Sequence, residues 1–341
     1  RERVMKPDKQ FIIIDHNIEK IKEFINEIII EPKHLLSKWA KITNQTPAAK
    51  IGYIGQHLAS LITGVPGTGS GARGNDLTDR SEVKSCNKVD QVDKCNNCGA
   101  RVLRLEDKCP DCGSADIKRK DDSKWLFSVR DEQELKQYKN LDRIVLLLMD
   151  YPNFASGDFK DIRICAFEIY PKEERMQAFK ELISNHYYNI FLPKQEKNKK
   201  TNPMNFHPWS FQFYKCNPIK TFECIIKDID TCPNIAINSY IAPSCERDNS
   251  LKPLPMPSTL LKKEEWKEII KKANYAEEIQ PLIDNGFLKE KGLGKLTKCQ
   301  FAKLPIKDKA AALPFLDQNL RDMVPLRPIV SALQKKHYQR G

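Results

Sequence analysis

The chain has 341 residues, with 57 Lys+Arg against 45 Asp+Glu, so its formal charge is +12. Hydrophobic residues make up 40% of it, enough for a substantial core, which excludes disorder of the whole chain. No apolar run approaches the ~18 residues of a membrane span, and the basic balance favours a polyanionic partner.

The sequence opens on Arg-Glu-Arg-Val-Met-Lys-Pro, without the apolar segment of a secretory signal, so a cytoplasmic protein is expected. Ile18, Ile21, Phe24, Ile25 and Ile28 fall at helical spacing. Pro32 is expected to break that helix before a second one over His34–Thr43. A third is expected over Gly55–Thr63, followed by a glycine-rich turn, Gly64–Asp76. Strands are expected at Arg80–Ser85, Trp125–Val129, Arg143–Asp150 and Asp161–Tyr170, and helices at Glu132–Tyr138 and Glu173–Asn185. Arg143–Asp150 is apolar on both faces and reads as a central strand. Pro193–Pro203 is polar and basic and reads as a loop or arm. The alternation predicts an α/β fold, a mixed sheet flanked by helices. Residues 1–50 read as an N-terminal helical region, 51–250 as the core, and 251–341, opening on a proline-rich linker, as a helix-rich C-terminal region.

Cys95-Asn-Asn-Cys98-Gly and Cys109-Pro-Asp-Cys112-Gly carry the sharpest local signal. Each pair makes a tight knuckle in which two thiolates converge, with glycine permitting the turn behind them. Two knuckles supply the four thiolates of a tetrahedral structural Zn2+ site, closed to substrate. A zinc-ribbon insertion is therefore expected at 93–114. The remaining cysteines lack ligand spacing.

Gly64-Val-Pro-Gly-Thr-Gly-Ser-Gly invites comparison with a phosphate-binding loop, but Ser70 and Gly71 stand where that loop needs Lys and Ser/Thr. The segment just beyond it is more informative. Glu82 and Lys84 project to one face of a strand, and Asp76 on the entering turn can approach them. Two carboxylates beside an ammonium suit a divalent cation, Mg2+, acting on a phosphodiester: the metal takes oxygen ligands and activates water, and the lysine offsets developing charge.

Leu61-Ile-Thr-Gly64, Gly74-Asn-Asp76 and Glu82-Val-Lys-Ser85, with Gln137-Tyr-Lys, Ile162–Tyr170, Pro171-Lys-Glu-Glu and Asn202-Pro203 farther on, resemble the type II restriction endonucleases of the PD-(D/E)xK superfamily. Within them the likeness is to the PvuII subgroup and, over most of the chain, to the MamI-like endonucleases. The resemblance implies a PD-(D/E)xK core with Asp76 and Glu82 as Mg2+ ligands and Lys84 orienting the attacking water. It also implies a homodimer cutting double-stranded DNA at a palindrome, of the interrupted GATNNNNATC kind, beside a cognate methyltransferase in a restriction–modification system. One departure is Arg73, where the PvuII pattern has an acidic residue; this puts a second metal site in doubt.

DNA contacts are expected from Arg101, Arg104, Lys118 and Arg119 around the knuckles and from Lys194, Lys197, Lys199 and Lys200 in the basic arm. His207 and Trp209 lie beyond that arm. Gln56 and His57 stand on the helix before the glycine loop; the resemblance implies that such a helix borders the active site, where Gln56 would reach the metal shell, and the alternative reading is a solvent-facing or core-edge position. Two other functions fit part of the pattern: a zinc-ribbon DNA-binding protein without catalysis, and a repair-type nuclease on the same core.

Overall fold

The computed structural model describes residues 12–14, 17–45, 51–69, 74–87, 92–106, 108–118, 125–153, 156–169, 174–198, 203–206, 216 and 218–243. Arg73, Arg119, Lys199, Lys200, His207, Trp209 and the expected C-terminal region 251–341 lie outside the described residues.

Helix α1, Ile18–Ile25, is capped by Asn17, whose side chain accepts from the Lys20 N–H. It does not stop before Pro32. A wide π turn, Asn26–Ile30, carries it into α2, Glu31–Thr43, where Pro32 occupies the first turn. Proline cannot donate to a carbonyl of the preceding turn, and the ladder widens to an i→i−5 bond, Glu31 N–H to the Asn26 carbonyl, just before it, so the expected break is a change of pitch. Helix α3, Gly52–Thr63, comes next and ends at Gly64.

The main sheet has five strands in the order β1-β6-β7-β9-β10: β1 Ser81–Asn87, β6 Arg143–Asp150, β7 Ile162–Ile169, β9 Ile219–Lys227 and β10 Asn234–Tyr240. β1 runs parallel to β6; the other neighbours are antiparallel. The mixed α/β fold expected from the sequence is what forms. One face buries Val83, Val145, Leu147, Ile164, Ala166 and Phe222 against Ile21, Ile25, Leu58 and Ile62 of α1 and α3. The other packs Phe167 beneath Trp125, near an aromatic group in which Phe127, Phe179 and Phe206 meet at centroid distances of 5.1–6.3 Å.

Trp125 and Phe127 belong to a separate layer, not to the main sheet. The strand here is shorter than expected: β5, Phe127–Val129, pairs with β8, Met204–Phe206. Helix α4, Glu132–Lys139, comes after β5, and α5, Glu174–His186, after β7. Residues Tyr187–Phe191 form a second π turn leading into α6, Leu192–Asn198. The expected basic loop is therefore helical over its first part. Pro193 sits in the opening turn, and Lys-Gln-Glu-Lys are good helix formers whose polarity reflects exposure.

Between β1 and β5 stands the cysteine-bearing module, a three-stranded sheet in the order β3-β2-β4: β2 Val92–Cys95, β3 Arg101–Leu103 and β4 Ile117–Lys118. It is wider than the expected 93–114.

Candidate active site and metal centre

Asp76 enters from the turn before β1. Its backbone N–H donates to the Ser81 carbonyl at 3.0 Å, and its own carbonyl accepts from Thr68 at 3.1 Å. The glycine-rich segment thus closes on itself and holds the carboxylate. One oxygen, Oδ2, accepts from the Val83 N–H at 2.7 Å; the other, Oδ1, accepts from Gln56 Nε2 at 2.6 Å. Of the two readings of Gln56, the structure favours the one that brings its helix to the site: its amide holds Asp76. No local pattern signals this, because its partner lies 20 positions away. His57, beside it, is exposed, its ring 6.1 Å from that of Phe24.

Glu82 and Lys84 flank buried Val83 on β1. Lys84 Nζ lies 2.5 Å from Glu82 Oε1. Its ammonium also sits 5.5 Å from the Phe127 ring centroid and 5.9 Å from that of Tyr138. Sequence reasoning missed both aromatics as neighbours of the lysine, since they arrive from the separate layer and from α4. Burial raises the carboxyl groups of Asp76 and Glu82 above their ordinary range; the Val83 N–H and Lys84 oppose this at Asp76, and Lys84 opposes it at Glu82. Burial works to lower the Lys84 ammonium, but Glu82, Tyr138 and Asp76 outweigh it and the net shift is upward. Lys84 is thus a held cation, and two carboxyls that resist ionising stand beside it. A divalent cation held between them would relieve both.

This geometry forms within a family that the sequence identifies. The profile of the MamI restriction endonuclease family matches residues 38–259. The chain belongs to that family. The type II restriction enzyme MamI of Microbacterium ammoniaphilum is 43% identical over 60 residues, 18% of this chain and 20% of that enzyme. The chain spans about a fifth of the length of this curated relative. No solved structure matches.

The second centre is the cysteine cluster. The sulfurs of Cys95, Cys98, Cys109 and Cys112 all lie within 4.8 Å of one another. The knuckle turns close through Gly99 N–H to the Cys95 carbonyl and Gly113 N–H to the Cys109 carbonyl, at 3.0 and 2.8 Å, with both glycines at positive φ. A backbone N–H at Ser114 and the Asn97 amide, 3.6 Å from the sulfur, bring the Cys112 thiol down to about 6. Four converging soft donors with no carboxylate or imidazole among them fit Zn2+. Val102, Ile117 and Ala100 pack against the cysteines and complete this small apolar cluster.

The remaining candidates divide. Arg101 and Lys118 are exposed on β3 and β4, and Lys194 and Lys197 on α6. Arg104 is a correction: it is 3% exposed, and its guanidinium is paired at 3.1 Å with Asp93, itself 3% exposed. Its charge holds the ribbon together and does not reach DNA. Glu106, two residues on, pairs at 2.8 Å with Arg163 of β7, which also donates to both carboxylate oxygens of buried Asp150 of β6 through Nε and Nη2. The ribbon is thereby tied to the main sheet. No helix among the described residues is long and apolar enough to cross a membrane.

Proposed function

We propose that the chain is a Mg2+-dependent, site-specific endonuclease that hydrolyses phosphodiesters of double-stranded DNA, built on a PD-(D/E)xK core. The observation that carries this reading is the meeting of Asp76, clamped at both oxygens, with the Glu82–Lys84 pair on β1. Membership of the MamI family supports it independently.

In this reading Asp76 and Glu82 hold the cation, which supplies Lewis-acid activation of the phosphate and lowers the pKa of water. Gln56 and the Val83 N–H fix the direction of the Asp76 carboxylate. Lys84, kept protonated by its surroundings, donates to the attacking water or to a phosphate oxygen; it is not the group that removes the proton. The rings of Phe127 and Tyr138, 5.5 and 5.9 Å from the ammonium, attract its charged form and favour its place beside the carboxylates. The cysteine cluster holds Zn2+ in a structural role. A homodimer acting on a palindrome, interrupted in the GATNNNNATC manner, comes from the family resemblance, as does a partner methyltransferase.

The test is digestion of a supercoiled plasmid and a phage genome in Mg2+, with sequencing of the ends. Discrete fragments with one shared end sequence are expected, and Glu82→Ala is expected to abolish them while binding to a duplex in Ca2+ persists. A Glu82→Ala protein that cuts at the parental rate would overturn the assignment. Structure-dependent nicking without a shared end sequence would move the reading to a repair-type nuclease.

A further inference from the structure

Asp76 and Glu82 bracket a short turn, residues 77–81, and Ser81 ties it together. The Ser81 carbonyl accepts the N–H groups of Asp76 and Leu77 at 3.0 and 3.2 Å. Its own N–H donates to Asp79 Oδ1 at 3.1 Å, and its hydroxyl accepts from Arg143 Nε at 2.9 Å. Ser81 thus carries Asp76 on its carbonyl and Glu82 on its own peptide bond. Arg80, within the turn, has a φ of 63°, a left-handed conformation unfavourable for a residue with a Cβ. Such a conformation persists where its surroundings over-determine it. Here the Arg80 carbonyl accepts from the Asp142 N–H at 3.3 Å, and Arg80 Nε donates to Asp142 Oδ2 at 2.8 Å.

Arg143 opens β6 directly opposite Ser81 and is buried. Its guanidinium fans out over three elements. Nε donates to Ser81 Oγ, Nη2 to Asp79 Oδ2, and Nη1 to Glu168 Oε2 of β7 at 3.4 Å. Glu168 is wholly buried. Taking a guanidinium and a carboxylate out of water is costly, and apolar side chains of similar volume often stabilise such a place as well or better. Stability alone is therefore a weak reason for this cluster. What it supplies is direction. The guanidinium is a planar fork of donors, so Ser81 and Asp79 are fixed relative to the two inner strands β6 and β7.

We infer that Arg143 is a positioning residue of the carboxylate site: through Ser81 and Asp79 it fixes the turn that sets Asp76 against Glu82. This rests on the nuclease reading above for what the two carboxylates hold. Mg2+ demands near-ideal octahedral geometry from its oxygen ligands, so a small relaxation of the turn weakens the hold on the cation while the fold survives. In the sequence Arg143 reads only as the start of an apolar strand, because its partners Ser81 and Asp79 lie 62 and 64 positions away.

The experiment measures binding of Mn2+, which takes the same oxygen ligands as Mg2+, to the full chain by electron paramagnetic resonance of the free ion. Urea unfolding is followed on the same proteins: the parental chain and its Asp76→Ala, Arg143→Lys, Ser81→Ala and Ile226→Val variants. Asp76→Ala defines which Mn2+ binding belongs to the site. Arg143→Lys keeps a positive charge for Asp79 and Glu168 but replaces the fork by a single ammonium. It is expected to weaken that binding roughly 10-fold, the lower end of the effect of losing a partner that orients a metal ligand. Ser81→Ala, which removes only the hydroxyl, should act in the same direction by a smaller factor. Ile226 is buried at the end of β9 remote from Glu168, since Ile162 lies opposite it and Ile219 opposite Glu168. Ile226→Val is expected to lower the urea midpoint and leave Mn2+ affinity parental. That contrast separates positioning from loss of stability. Parental Mn2+ affinity in both Arg143→Lys and Ser81→Ala would overturn the inference, and so would an equal loss in Ile226→Val. If Arg143→Lys does not fold, Ser81→Ala decides. A parental chain whose Asp76-dependent Mn2+ binding is weakened by Arg143→Lys, yet which never cuts plasmid in Mg2+, would overturn the nuclease reading and leave the positioning role. No Asp76-dependent binding at all would overturn both.

Discussion

Gln56 Nε2 reaches across from α3 to donate to Asp76 Oδ1 at 2.6 Å, so a carboxylate on one element is aimed by an amide on another. With the Val83 N–H on Oδ2, both oxygens are oriented. Partners that orient a ligand typically change metal affinity or activity 10–100-fold when removed. Gln56→Leu is therefore expected to raise the Mg2+ concentration for half-maximal cleavage by roughly 10–100-fold, with the end sequence unchanged. Titrating Mg2+ against the initial rate measures this. An unaltered titration would show that the contact does not orient the carboxylate.

A second prediction concerns pH. Burial raises the carboxyls of Asp76 and Glu82 from their ordinary values of 3.8 and 4.5. The folded chain therefore binds their protons at higher pH than the unfolded chain does. Their contribution to stability is fully present below the ordinary values and is lost as pH rises through the folded-state values. In Mg2+-free buffer, the stability of the parental chain relative to an Asp76→Ala/Glu82→Ala double variant should fall as pH rises from the acid side through that window. Added Mg2+ should restore stability at neutral pH, with the effect fading as protons compete on acidification. Urea midpoints across pH, with and without Mg2+, test both signs. A difference between the two proteins that does not vary with pH would contradict the desolvated state of these carboxyls.

The third prediction separates the ribbon from the sheet. Its apolar cluster consists of Cys95, Val102, Cys109 and Ile117, with Ala100 against it. A core of that size cannot offset the chain entropy of ordering the module; on the zinc reading proposed above, the metal does. Cys109→Ser is expected to release backbone amides of β2, β3 and β4 to fast hydrogen exchange. Amides of β6 and β7, at the centre of the main sheet, should stay protected. Retained protection across the ribbon in Cys109→Ser would show that the Arg104–Asp93 and Glu106–Arg163 pairs suffice without four thiolates.

How much of the molecule was legible in its sequence depends on the range of each interaction. Arg143–Asp150 declares itself because a strand buried on both faces needs an unbroken apolar run, and the cysteine spacing declares itself because the ligands lie within one short segment. Glu82 and Lys84 are legible as neighbours from the period of a strand. The bond from Gln56 to Asp76, the nearness of Tyr138 to Lys84 and the ties of Arg143 to Ser81 and Asp79 are not, since each depends on pairing between segments that the local pattern does not specify. The prolines misled for the opposite reason. Pro32 and Pro193 signal breaks, yet each follows a π turn whose widened i→i−5 bonds let the helix run on past it. Arg104 misled because composition reports charge and not burial. A guanidinium next to a metal knuckle looks like a DNA contact until Asp93 is seen beside it.

The last prediction concerns how α3 and β1 are held together, since Gln56 rides on one and Glu82 and Lys84 on the other. Gly55 is the point of closest approach. A Cβ there would lie 1.9 Å from Ser85 Oγ, 2.9 Å from Ser85 Cβ and 3.3 Å from Leu147 Cδ1. The hydroxyl can rotate, but the Ser85 Cβ is fixed to the strand, so the helix itself must lift. Overpacking of this kind typically costs 1–3 kcal/mol, and the displacement carries Gln56 away from Asp76. Gly55→Ala is therefore expected to lower the urea midpoint by an amount corresponding to about 1–3 kcal/mol, and to weaken Mg2+ activation in the manner of Gln56→Leu. Ser85 Oγ has no hydrogen-bond partner among the described residues, so removing it sacrifices no such bond. The double variant Gly55→Ala/Ser85→Gly, which vacates the space the new methyl needs, should recover part of both losses. Recovery of stability without recovery of Mg2+ activation would mean that the spacing of α3 from β1 does not govern the aim of Asp76.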